Sequence, residues 1–351
     1  MQIGTAHADP GEFARGEIEI TELPTGPAET IPVMIARGED SGPTLFVTAA
    51  IHGNEVTGLA AAYDAVTPDL VDRIRGTVVC LPILNPAGLR RTARRSYYHD
   101  QDPNRHFSTE EARSRPPHVQ GLINDRIYGL IEESADALVS LHTAATGSMP
   151  FTIVERVRYG EDRSRAEAEE LAEAELRLVE AFGLPPIREF DPTVHESTNL
   201  DRSLEPSVLN GVGIPSFTVE LGSPNAVEER HREAAVIGIE NVLRAMDILS
   251  GDPEPNEAAP EPPVDYPVKR ARHPRTETPG IVRRLVEVGT AVEAGDPMAE
   301  ILAPDGEVRT TVEADTDGYV IGRRRGVAAY ENDALFSMAV RDESDVVVSD
   351  G

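Results

Sequence analysis

Four short apolar runs set the strongest limit on what this chain can fold into. Thr44 to Ala50, Gly76 to Ile83, Ala137 to Leu141 and Pro215 to Leu221 are mostly apolar from end to end. A strand with one wet face alternates, whereas a strand covered on both faces does not. These runs therefore read as buried strands of a parallel sheet. Segments with helical spacing separate them: Val56 to Ala65, Ile123 to Ser134, Arg165 to Phe182 and Glu228 to Leu249. Gly183 directly follows the third and is a stop signal. Buried strands alternating with helices predict an α/β fold, a mixed, largely parallel sheet flanked by helices. Glu17 to Glu22 alternates with period two and predicts a strand in an N-terminal β extension. Reactive side chains in such sheets are expected where strands end.

The pattern breaks at residue 251. Residues 251–264 are rich in proline and acid, which stiffen and solvate a chain, so they read as a linker. Beyond it, segments 280–288, 298–303, 307–313, 318–323 and 335–340 are short, alternating and punctuated by glycine. The expected division is an α/β domain over 1–250, the linker over 251–264 and a small all-β module over 265–351.

Charge narrows the partners. With 61 acidic against 33 basic residues the net charge is −28, the wrong sign for neutralising nucleic-acid phosphates or docking on anionic lipid. Of the basic residues only Lys269 is a lysine. Abundant carboxylates with almost no lysine read as the haloarchaeal type of composition, a surface that stays hydrated in brine. In about 1 M salt the Debye length is about 3 Å and self-repulsion is screened. The melting temperature is therefore expected to rise from dilute buffer to molar KCl; a flat melting curve would remove this reading. No run of 18 apolar residues predicts a membrane span, and no basic-then-apolar leader opens the chain, so a cytoplasmic location is expected. Cys80 is the only cysteine and sits in an apolar run, as a packed thiol would.

Chemistry concentrates at four places. His52-Gly53-Asn54-Glu55 directly follows the first buried run and offers an imidazole and a carboxylate three residues apart. That spacing puts both side chains on one face of a turn, as metal ligation needs, though a satisfied polar turn reads the same way. His142 ends another buried run. Asn104-Arg105 joins an amide to a guanidinium fork suited to a carboxylate. Glu220 ends the last buried run, where a charge is costly unless it is partnered or functional. Arg90, Arg91, Arg94, Arg95 and Arg105 crowd one stretch and are expected to line a positive pocket. Among the other polar residues, His99 and His106 read as loop histidines, Tyr97 and Tyr98 as loop braces or substrate contacts, and His195-Glu196 as either a surface loop or a pocket cover.

His-Gly-Asn-Glu (52–55), Asn-Pro (85–86), Asn-Arg-His-Phe (104–107), Leu-His-Thr (141–143) and Val-Glu-Leu-Gly (219–222) occur in this order. Together they resemble the succinylglutamate desuccinylase/aspartoacylase family, within the wider zinc carboxypeptidase fold, over roughly residues 30–250. The resemblance implies one zinc ion held by His52, Glu55 and His142, with Glu220 as general acid/base. It also implies that Asn104 and Arg105 hold a substrate carboxylate. An arginine after Asn85-Pro86 would polarise the scissile carbonyl; Arg94 and Arg95 both fit, Arg95 slightly better. Three positions depart from the family pattern: Ser140 stands where Asp is usual, Pro103 where Leu is usual, and Ser108-Thr109 where Pro-Gly is usual. The first removes a carboxylate expected behind a ligand. The C-terminal module resembles a lipoyl/biotinyl-type barrel, but the modified lysine is absent near Pro304-Asp305-Gly306. A structural role, a homo-oligomer contact or a pocket rim fits it better than a carrier role.

The implied activity is zinc-dependent hydrolysis of the amide bond of an N-acyl amino acid or a similar small anionic carboxylate. The alternatives are a metallocarboxypeptidase acting on peptides and a non-catalytic metal-binding scaffold.

Overall fold

The computed structural model describes residues 1–98, 100–107 and 118–350. His99, Ser108 and Thr109 lie outside the described residues. The buried runs become Thr44–Ala49, Thr77–Leu81, Ala137–His142 and Ser216–Glu220, parallel neighbours at the centre of the sheet. Every residue of the last three is buried, which is why their sequences do not alternate. Antiparallel strands extend the sheet on both sides, with Ala28–Arg37 and Phe13–Glu22 on one edge and Phe151–Val154 on the other. The helices fall at Val56–Ala65, Val119–Ser134, Arg165–Phe182 and Glu229–Ala245. The last ends four residues before the expected Leu249, because Asp247 takes a left-handed φ of 55°.

Two apolar layers sandwich the sheet. One packs Val47, Cys80, Val139 and Phe217 against Phe182, Ile239 and Val242 from the helices. Phe182 and Phe217 meet edge to face at 5.8 Å. The other packs Phe46, Val79, Leu81 and Leu138 against Ile123, Ile127 and Ile131. Each fully buried side chain of this kind contributes about 1.5–3 kcal/mol.

The C-terminal module is tied to the α/β region more closely than a linker suggests. Val268–Ala271 pairs in parallel with Pro186–Arg188 and antiparallel with Phe336–Arg341. Through these pairings one sheet of 12 strands, among the described residues, runs from the N-terminal extension into the module. A second sheet, Val308–Glu313, Pro297–Leu302, Gly280–Arg284 and Ala328–Ala329, covers the end of the first around Met298, Ile301, Val320 and Met338. The module is thus a sandwich in which one layer is the continuation of the main sheet.

Candidate active site

Strand register builds the site. Glu220 is the cross-strand partner of His142, and Ala49 that of Leu141, so the carboxyl ends of three parallel strands stop at one level. After Ala49 the chain turns at Ala50, whose φ is 50°. Asn85 pins this turn: its N–H donates to Ala50 O and its side-chain amide to Ile51 O, both at 3.1 Å. Its Oδ1 meanwhile accepts the Gly88 N–H at 2.8 Å and starts the short helix Pro86–Leu89. The two loops touch backbone to backbone, and a Cβ on Gly53 would lie 2.0 Å from the Gly88 carbonyl carbon. Glycine at 53 is therefore a packing requirement, and Asn85 shapes the loop that presents His52.

His52, Glu55 and His142 are buried, and their donor atoms lie within 4.8 Å of one another. His142 Nδ1 is 3.0 Å from Glu55 Oε2, which also accepts the Thr143 N–H at 3.1 Å. His52 Nδ1 is 2.8 Å from Glu55 Oε1 but out of alignment for a hydrogen bond, so this buried nitrogen has no hydrogen-bond partner. The opposite ring nitrogens are both held by carboxylates. His52 Nε2 lies 3.0 Å from Asp102 Oδ1, and His142 Nε2 lies 3.1 Å from Glu205 Oε1 and from Ser140 Oγ. A proton on each Nε2 satisfies these contacts and turns both Nδ1 lone pairs toward Glu55. Two such lone pairs and a carboxylate, one nitrogen of them orphaned, fit a zinc ion with one position left open. The carboxylate that Ser140 cannot supply comes from Glu205, in the helical segment Leu204–Ser207.

Electrostatics agrees with a site built for a cation. Burial pushes Glu55 up, but His52 and His142 outweigh it and hold its carboxyl well below the usual carboxylate range. Burial also pushes Glu205 up, yet His142 brings it down to about 2. Burial would lower His142, but Glu205 and Glu55 on its two nitrogens raise it to about 10. Without a cation, a proton thus sits between these carboxylates, and a metal ion would displace it.

Glu220 is 7% exposed and its Oε2 has no hydrogen-bond partner. Burial raises its pKa; Arg270, then His142, oppose the rise without cancelling it. Arg94 spans the site, with Nη1 donating to Glu55 Oε1 at 3.0 Å and Nε and Nη2 donating to Asp102 Oδ2 at 3.2 and 3.1 Å. Arg95 does not join them. Its guanidinium points outward, and Nη1 donates to Asp100 O at 3.0 Å. The slight preference for Arg95 is therefore reversed: consecutive residues in this turn point apart, and only Arg94 faces the cavity. Asn104 and Arg105 both line the cavity. Asn104 Oδ1 accepts the Leu204 N–H at 2.8 Å, so that oxygen shapes the wall. Arg105 Nη1 donates to Ser203 Oγ at 3.1 Å.

The expected positive pocket is corrected in two ways. Of the five clustered arginines, only Arg94 and Arg105 line the cavity. Arg90 instead forms a two-point pair with buried Glu29 at 2.9 Å, and Tyr98 donates to the same carboxylate. That buried anchor braces the loop carrying Arg94. The cavity, about 470 Å³, is also mixed in charge: Glu155, Glu189, Glu205 and Glu220 line it beside Arg270 and Arg272. The last two come from beyond the linker, and sequence reasoning missed them because nothing local marks the strand Val268–Ala271 as entering the main sheet. His195 is no surface loop residue; it is buried in the helix Pro192–Ser197 and lines the cavity.

The fold is a mixed α/β sheet flanked by helices, with a His-Glu-His cluster and a buried carboxylate at its strand ends. Residues 41–246 match the succinylglutamate desuccinylase/aspartoacylase catalytic domain. The chain belongs to the succinylglutamate desuccinylase/aspartoacylase family. It is 24% identical to the N-alpha-acetyl-L-2,4-diaminobutyric acid deacetylase of Halomonas elongata, over 90% of this chain and 87% of that protein. The fold is similar to a succinylglutamate desuccinylase from Silicibacter sp. TM1040, at a TM-score of 0.72 and 21% identity over 97% of this chain and all of that one. It is also similar to the product-bound ectoine utilization protein EutE (DoeB) of Ruegeria pomeroyi, at a TM-score of 0.74 and 21% identity over 96% and 98% of the two chains. Among the described residues no helix is long and apolar enough to cross a membrane.

Proposed function

We propose that this chain is a zinc-dependent hydrolase that cleaves the amide bond of an N-acyl amino acid. The observation that carries this reading is the orientation of the two histidines: carboxylates on both Nε2 atoms leave both Nδ1 atoms facing Glu55. Family membership and the deacetylase relative support the acyl amino acid as substrate.

His52, Glu55 and His142 would hold the metal. Bound there, zinc would supply Lewis acidity to a water molecule and to the scissile carbonyl. Glu220 takes a proton from the attacking water and returns it to the leaving amine, a role suited to a carboxylate whose pKa burial has raised. Arg94 donates to the carbonyl oxygen as negative charge develops there. Arg105 pairs with the substrate carboxylate and fixes its orientation. Asp102 and Glu205 act one step back, as positioning residues that hold the ligand rings and their protonation.

A cavity of about 470 Å³, lined in part by Arg270, Arg272 and Ile321 from beyond the linker, has the size for a small substrate and favours it over a peptide lying in an open groove. The test is metal content together with hydrolysis of N-acetyl and N-succinyl amino acids in molar KCl. One zinc per chain and turnover abolished by a chelator and restored by zinc are expected. Metal-free protein with full turnover would overturn the reading. In the same measurement Glu205→Gln should weaken zinc affinity about 10- to 100-fold, the usual cost of losing a carboxylate behind a ligating histidine.

A further inference from the structure

Part of the cavity is lined by groups that the proposed hydrolysis does not use. Glu155 follows the strand Phe151–Val154, Glu189 follows Pro186–Arg188, and His195 lies in the helix Pro192–Ser197. Adjacent parallel strands bring the two glutamates together, since Arg188 is the cross-strand partner of Val154. The three residues are 3%, 2% and 8% exposed, and one oxygen or nitrogen from each lies within 4.8 Å of the others. All three line the same cavity as Glu220 and the His-Glu-His cluster.

Their hydrogen bonds are incomplete. Glu189 is served, with Oε1 accepting the Phe190 N–H at 2.7 Å and Oε2 accepting Arg270 Nη1 at 2.9 Å. Glu155 is not. Among the described residues its nearest cationic neighbour is His195, whose Nε2 is 3.6 Å from Oε2 and has no hydrogen-bond partner. That distance is too long for a hydrogen bond. A buried carboxylate at a cavity wall that meets only one loosely placed imidazole nitrogen is costly unless a ligand completes it. Burial, helped by Glu189, pushes Glu155 up against the opposing pull of His195.

We infer that Glu155 and Glu189, beside His195, form a subsite for the side-chain ammonium of the substrate, so that the substrate is an N-acyl amino acid with a second, free amino group. A primary ammonium brings three donors, enough for both oxygens of Glu155 and the second lone pair on a Glu189 oxygen, while His195 stays as the neighbour of Glu155 Oε2. A divalent ion fits less well, because Glu189 is already bonded to the Arg270 guanidinium, which would face it across one carboxylate. Arg105 then takes the α-carboxylate and the subsite takes the ammonium, which fixes the substrate at two points.

This inference rests on the proposed hydrolysis, and the test separates the two. Nα-acetyl derivatives of 2,4-diaminobutyrate, ornithine and lysine are compared with N-acetylnorvaline and N-acetylnorleucine, using wild type and Glu155→Gln. Binding of the free diamino acids is measured alongside by calorimetry. At least one cationic substrate is expected to be preferred about tenfold or more in kcat/KM. Glu155→Gln should raise its KM by a similar factor, the worth of a charge-assisted hydrogen bond, with kcat and the uncharged substrates little changed. The wild-type comparison needs no variant, so it stands if the substitution disturbs folding. Equal turnover of charged and uncharged substrates would overturn the subsite while leaving the hydrolase intact. So would a second zinc per chain that Glu155→Gln removes. Diamino acid binding that Glu155→Gln abolishes, in a protein that hydrolyses none of these amides, would keep the subsite and remove the proposed reaction.

Discussion

Glu220→Gln is expected to keep the fold and the zinc yet lose about 10²- to 10⁴-fold in kcat, the range of general acid–base catalysis. Gln is nearly isosteric with Glu and can occupy the end of the strand Ser216–Glu220 without a steric change. It removes the proposed acid/base group, whose Oε2 is unpartnered, so no hydrogen bond seen at that oxygen is lost. The pH profile gives a second readout. Burial has raised the Glu220 pKa above its ordinary value, and a general base works only when ionised. Wild-type kcat should fall as pH drops through that raised pKa. The same limb should be missing from the residual activity of the variant. A variant that turns over at the wild-type rate with its zinc bound would remove Glu220 from the mechanism.

Arg94→Ala is expected to cost about 10²- to 10³-fold in kcat, as loss of a donor to a developing oxyanion does, whereas Arg95→Ala should leave kcat near wild type. The contrast follows from the direction of two consecutive side chains. Arg94 reaches Glu55 and Asp102 inside the cavity, and among the described residues Arg95 reaches only Asp100 outside it. Comparing kcat with KM separates Arg94 from a residue that merely binds, which would raise KM alone. Arg94→Ala also removes a positive charge beside Asp102, so zinc content must be measured on the same sample. Equal losses in the two variants would show that the loop moves as a unit and that the direction of Arg94 is not what matters.

The central strands and the helices were legible because burial on both faces writes itself as unbroken apolar runs and a helix as periodic ones. The helix Arg165–Phe182 falls on its expected bounds because a Ser164–Glu167 capping box starts it and Gly183 ends it. Phe151–Val154, Pro186–Arg188 and Val268–Ala271 were not legible. Runs of three or four residues carry too little pattern, and their place in the sheet is set by pairing between segments far apart in the chain. The same limit hid Glu205. Its pairing with His142 links positions 63 residues apart, and only local patterns can be read from one sequence.

The sequence by itself determined the type of fold and marked His52, Glu55, His142 and Glu220 as candidates, because each of these follows or ends a run whose apolar pattern is local. It also determined the acidic surface, which is a matter of composition. Tertiary structure alone decided which arginine enters the cavity, which carboxylates stand behind the histidines, and that Glu155, Glu189, His195 and Arg270 share that cavity. Those choices depend on side-chain direction and on strand register across the sheet. Both are fixed by packing between distant segments, which leaves no mark in the order of residues along the chain.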